Sequence, residues 1–264
     1  MGVALELVSG HVTAPGTTLT AWTVNTGNSL TIKNAPIDSE VSILTAWAVN
    51  QGAGTLRIRS PKLHDNVQGL RFTIPAASGL PLFPRGVVQR VFPMDTLTIE
   101  QSGSAGAGDI EIGALLLFYQ DLPGVDARLS RAEDILGRVK HIFTVENTLA
   151  LGTSGDYTGE EAITAEFDLF KANTDYALLG YRVSARAGLI RFKGTDTGNL
   201  GLGGPAEPDF NDILAHWFVY LSTSYDIPAI PILNSNNRAN FTIDGVQDEN
   251  GTDVTVTTIF AELS

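Results

Sequence analysis

The sequence predicts an all-β protein in which two similar β-sandwich units flank one short helix. Three observations predict it. Short apolar or alternating runs rich in Val, Ile and Thr recur between turn residues, for which the chain holds 27 glycines and 12 prolines. One helical periodicity interrupts them, at residues 123–141. The segments beyond it repeat, in order, segments before it. With 264 residues and 43% hydrophobic content, the chain can bury a core in each unit.

Residues 4–32 alternate in character and are broken at Ser9-Gly10, Pro15-Gly16 and Thr26-Gly27-Asn28, which predicts strands joined by short turns. Further strands are expected at 41–49, 55–60, 70–74, 96–100 and 110–119, each bounded by Gly, Pro, Asn or Asp. Next comes PGVDARLSRAEDILGRVKH, where Val125, Leu129, Ala132, Leu136 and Val139 recur at helical spacing beside Ile135. Ser130 with Glu133 has the form of a capping box, and Asp126 offers an earlier N-cap. After this helix, strands are expected at 141–148, 162–170, 177–183, 189–193, 217–221, 241–243 and 254–262. TDTGNLGLGGPAEPDFN, residues 195–211, reads as a long surface loop, since it has neither the strand and helix context of a dinucleotide site nor a P-loop lysine.

The repeat is carried by several blocks. Residues 53–59 match 187–193 at an offset of 188 − 54 = 134. Residues 70–74 align with 217–221, and 80–84 with 227–231, both at 228 − 81 = 147. Residues 97–100 pair with 241–244, and 109–112 with 253–256, at 253 − 109 = 144. The growth in offset after the first block places an insertion at about 195–211. The expected organisation is therefore a first unit at 1–123, a linker helix at 124–140 and a second unit at 141–264.

Composition excludes several classes of function. The chain has no cysteine, so it has no disulfide, thiolate metal site or cysteine nucleophile. A net charge of −12, with no basic arm, disfavours direct nucleic-acid binding. MGVALELVSGHV lacks the character of a secretory signal, and the apolar run at 110–119 is too short to span a bilayer, so a soluble chain is expected.

Candidate chemistry is sparse. His11, His64, His141 and His216 show no metal-ligand spacing, and Gly152-Thr153-Ser154-Gly155 is too short for a nucleophile elbow. Asp248, Glu249, Asn250 and Asp253 form the densest oxygen-rich turn. It reads first as a hairpin and offers the chain's calcium candidate, with Asp196, Asn199 and Asp209 a lesser one. No cofactor is required by anything in the sequence. Trp47 and Trp217 lie in apolar strand patterns, so core packing is expected ahead of sugar stacking for them, and Trp22 is the third tryptophan.

Two tandem sandwiches with a helical linker resemble the double jelly-roll major capsid proteins of the tectivirus, corticovirus and adenovirus lineage, above all the compact ones of icosahedral bacteriophages with an internal membrane. The resemblance implies two eight-stranded jelly-roll barrels and a homotrimer filling a hexagonal place in a virion shell. It implies lattice contacts with further copies and with vertex and minor capsid proteins, a base facing the viral membrane, and assembly in the host cytoplasm. It implies no catalytic residue. The alternatives are a carbohydrate- or receptor-binding β-sandwich, such as a viral spike or lectin, and an enzyme on a duplicated cupin barrel.

Overall fold

A computed structural model describes residues 2–76, 83–163, 170–248 and 250–264. The first half contributes β1 (Gly2–Thr13), β2 (Thr20–Ala21), β3 (Thr23–Val24), β4 (Val41–Val49), β5 (Gly54–Arg59), β6 (Leu70–Ile74), β7 (Gln89–Val91), β8 (Thr98–Ser102) and β9 (Ile110–Leu122). A connection follows with β10 (Leu129–Ser130) and α1 (Ala132–Leu136). The second half holds β11 (Val139–Ala150), β12 (Tyr157–Ala162), β13 (Asp175–Val183), β14 (Ala187–Lys193) and β15 (Leu202–Ala206). It continues with α2 (Asn211–Leu214), α3 (Trp217–Tyr225), β16 (Ile230–Asn234), β17 (Thr242–Val246) and β18 (Asp253–Leu263).

The chain is all-β, and its described residues form four antiparallel sheets. In the first half the sheet orders are β3-β1-β9-β4-β7 and β2-β8-β5-β6. In the second half they are β11-β18-β13-β16-β10 and β12-β17-β14-β15. Read in chain order within each half, β1-β9-β4-β7 and β11-β18-β13-β16 are one sequence of strands, and so are the other two sheets.

Burial follows the side-chain alternation. GTLRIR of β5 turns Leu56 and Ile58 into the first core and Arg57 and Arg59 outward. VSILTAWAV of β4 has no polar face because both of its sides are covered. Ile43 and Ala46 pack within the first half, while Leu44 and Trp47 belong to the core that extends through the second half. The β1-β9-β4 sheet is thus a layer buried on both faces.

Register shows which parts of the repeat are structural. Arg57 lies opposite Glu100, and Arg191 opposite Asp244, so the blocks at 53–59 and 97–100 have true counterparts at 187–193 and 241–244. β4 carries a bulge between Ile43 and Thr45, and β13 one between Leu178 and Gly180, each where the strand faces the same point of β9 or β18. Superposing the bulges equates Leu117 with Phe260, an offset of 260 − 117 = 143. The match of 109–112 with 253–256 at 144 is therefore out by one residue. A one-residue slip reverses the face. Ile112 points at the second half, where a β-carbon on Gly188 would meet it, whereas Val254 and Val256 are buried between exposed or half-exposed neighbours on β18.

Three other expectations are corrected. The linker helix expected over 124–140 is confined to Ala132–Leu136; Arg131 is its N-cap, without a side-chain hydrogen bond, so neither Ser130 nor Asp126 caps it. Leu129 and Ser130 are instead drawn into pairing with β16, and the alternating residues from Val139 form β11. The buried side runs through Ala132 and Ile135, leaving Leu136 72% exposed. Trp217–Leu221 is not a strand but the start of α3. The counterpart of β6 is β15, at 202 − 70 = 132, inside the stretch 195–211 expected to be a loop.

The insertion accordingly lies after β15. Val91 and Leu233 correspond, at 233 − 91 = 142, so 142 − 132 = 10 extra residues fall between β15 and β16, where α2 and α3 are. The same offset sets Pro231 against residue 89, not Pro84. Residues 80–82 of that block lie outside the described residues, as does most of the strand expected at 162–170.

Candidate functional site

The acidic turn is committed internally. Asp248 is buried; its Oδ2 accepts from Gln51 Nε2 at 2.5 Å, and its Oδ1 accepts from the backbone and side-chain nitrogens of Asn250 at 3.0 and 3.2 Å. Asp253 is exposed at the start of β18, and Glu249 lies outside the described residues. Asp196 accepts from the Asn234 backbone and from Asn237 Nδ2, at 2.9 and 3.0 Å. Among the described residues no group of three or more His, Asp or Glu side chains could hold a metal ion. The three tryptophans are buried, and Trp47 meets Trp217 edge-on at 6.5 Å between centroids, so none offers a face to a sugar.

What the fold does assemble is a joint between the halves. The outer face of β1, β9 and β4 is apolar through Leu5, Leu7, Ile112 and Leu116. Against it lies the outer face of β12, β17, β14 and β15. Leu7 N donates to Gly201 O at 2.7 Å, and Ser9 Oγ donates to the Tyr157 hydroxyl at 2.8 Å. Thr26 donates to both Asp156 oxygens, at 2.9 Å from its backbone and 2.6 Å from its hydroxyl. Tyr225 OH closes the far side on Leu44 O at 2.7 Å.

A buried ion pair sits at the centre of the joint. Arg191 holds Asp244 through two hydrogen bonds, Nε to Oδ1 at 2.9 Å and Nη2 to Oδ2 at 2.5 Å, and its guanidinium lies 3.3 Å over the Tyr157 ring. Burial pushes the Asp244 carboxyl up, and Arg191 opposes that shift. Burial also pushes the Tyr157 hydroxyl up to about 12.

The counterpart pair has a different setting. Arg57 and Arg59 both hold Glu100, with Nε to Oε2 distances of 2.7 and 3.0 Å. Burial alone would raise the Glu100 carboxyl, but hydrogen bonds from the two arginines leave it below its usual range. This pair lies on the outer face of β5 and β8, where, among the described residues, nothing covers the exposed Arg71 and Thr73 of neighbouring β6. The second uncovered face belongs to β11, which exposes Ile142, Thr144, Glu146 and Thr148. Arg57 and Glu100 were already aligned with Arg191 and Asp244 in the sequence; that each arginine faces each acid could be read only from register.

No protein-family model matches the chain, and no curated protein does. Among solved structures, the PBSX exported protein XepA is similar over 94% of this chain and 86% of its own, at 10% identity and a TM-score of 0.21, too low to carry an argument about fold or function.

Proposed function

We propose that the chain is a structural capsid protein: a double jelly roll that trimerises into pseudo-hexagonal capsomers, which tile the icosahedral shell of a virion. The observation that carries this reading is the recurrence of one strand order in both halves, with the Arg57–Glu100 and Arg191–Asp244 pairs at the same register positions. Two such wedges per chain make six in a trimer. The role is spread over broad surfaces, which fits a molecule whose best-built feature is a joint between sheets. Its partners on this reading are further copies of itself, vertex and minor capsid proteins, and the membrane beneath the shell, with the genome not contacted directly. The net charge of −12 agrees with that last point.

Size-exclusion chromatography with light scattering tests the reading. The expected mass is 84.3 kDa, three times 28.1 kDa, and electron microscopy of particles assembled from it should show hexagonal capsomers. A chain that stays monomeric at every concentration, or binds glycans as a monomer, overturns it.

A further inference from the structure

Within the chain, the outer face of β1 and β9 covers the outer face of β14 and β17. Among the described residues, the counterparts of these two faces, β11 with β18 and β5 with β8, are both left open. We infer that the open faces meet between copies of this chain, head to tail, repeating between chains the joint that the halves already make within one. This rests on the capsomer reading above and adds to it the faces and the residues.

The correspondence is explicit. Superposing the register of β1–β9 on β11–β18 sets Ser9 against Glu146 (146 − 9 = 137), while Arg191 corresponds to Arg57 and Asp244 to Glu100. Tyr157, opposite Val246, corresponds to Leu19, next to Thr20, which lies opposite Gln101. Inside the chain Ser9 bonds to Tyr157 beneath Arg191. Between chains, therefore, Glu146 of one copy faces Leu19 and Arg57 of the next.

The chemistry of the two open faces is complementary. Arg71 and Arg57 stand directly opposite each other on β6 and β5, a like-charge pair that costs stability when left alone. Arg57 and Arg59 share Glu100, but among the described residues Arg71 has no carboxylate within 4 Å. The face thus offers three arginines to one acid, in a chain of net charge −12. Glu146 likewise has no cation within 4 Å among the described residues and accepts only from Thr257 Oγ1, at 3.4 Å. The internal joint has the neutral Ser9 over an arginine already paired; the open one has a carboxylate over an arginine surplus.

The apolar content differs in the expected sense. Leu5 is 1% exposed in the internal joint, while its counterpart Ile142 is 64% exposed. Thr144, Thr255 and Thr257 replace Leu7, Ile112 and Ala114. Ile259, opposite Thr144, is half-exposed on the same face, so a face that must stay in water until a second copy arrives keeps two large apolar side chains, Ile142 and Ile259, among hydroxyls. Such a head-to-tail contact either closes into a ring or runs on as a filament. Three chains present six halves, and a ring of six uses every face once.

The chain has no cysteine, so introduced thiols report alone. A variant carrying Glu146→Cys and Arg57→Cys, treated with a short bismaleimide, is expected to give a covalent trimer on a denaturing gel. Mixing the two single variants should give a covalent dimer that neither gives by itself. Glu146→Lys should weaken trimerisation by about 10-fold or more, a change of roughly 1.4 kcal/mol. If the Arg57 variant does not fold, hydrogen exchange on the unmodified chain reads the same prediction, with dilution to monomer deprotecting residues 54–74 and 139–150 together. A trimer that gives no covalent product overturns the assignment of faces and leaves the capsomer standing. A monomer throughout overturns both.

Discussion

Two ion pairs at equivalent positions let one side chain be compared in two environments. Arg191 and Asp244 are 11% and 8% exposed, under the first half of the chain. Replacing Asp244 with Asn leaves a buried guanidinium unpaired, a defect that costs about 3–5 kcal/mol. The Asp244→Asn variant should therefore lose a large share of the stability of a typical domain, and chemical denaturation should record it as a lower midpoint with an unchanged slope. Glu100 behaves differently because its arginines hold its carboxyl below the usual range. A carboxyl whose folded pKa is depressed contributes stability above its unfolded value, near 4.3, and loses it as the pH falls through the folded one. Glu100→Gln should accordingly lower the melting temperature at pH 7 by more than at pH 3, so that the two melting curves converge in acid. Equal offsets at both pH values would rule this out.

At the scale of elements, the insertion helices depend on one glycine. A β-carbon on Gly180 would come within 2.3 Å of Leu214 O and 2.7 Å of Ala215 O, both backbone atoms that cannot swing aside. Gly180→Ala should push α2 off β13 at a cost of about 1–3 kcal/mol, read as a lower denaturation midpoint and faster amide exchange in residues 211–225. If both stay unchanged, the close approach is unimportant. The same region shows what the sequence could convey. β4, β5, β9 and β17 were legible from their apolar or alternating runs and bounding turn residues, and so was the repeat across β5 and β14. Trp217-Phe218-Val219-Tyr220-Leu221 was not, because a continuous apolar run of five residues has no period to read and suits helix and strand alike. The Gly/Pro stretch concealed β15 for the converse reason. Gly203 lies so close to Ile190 O that a β-carbon would sit 1.9 Å away, so this strand needs the residues that normally signal a loop. The acidic stretch read as a hairpin, but β17 and β18 belong to different sheets and do not pair, and the partner that occupies Asp248 is Gln51, 197 residues away, which no local pattern could name.

For the molecule as a whole, the question is whether each half is a folding unit by itself. Each has two sheets and an inward-facing core, and the buried residues of the first half's core, Val8, Ile43, Leu56, Ile58 and Leu115 among them, all come from that half, with Leu200 of the second half packed against them. Its other face is a different matter. Leu5, Leu7, Leu44, Trp47, Ile112, Leu116 and Phe118 are buried only because the second half lies on them. A continuous apolar sheet face of that kind, once uncovered, is a site of association. The first half expressed alone should therefore keep its β-sheet circular dichroism, bind a hydrophobic dye strongly and self-associate, whereas the full chain binds the dye weakly. Mutating Leu7 and Leu116 to Thr, the type of residue that β11 and β18 carry on their open face, should restore a soluble first half. If the isolated half proves monomeric and silent to the dye without those changes, the apolar joint is not what keeps the halves together, and the polar contacts of Ser9, Thr26 and Tyr157 must hold it instead.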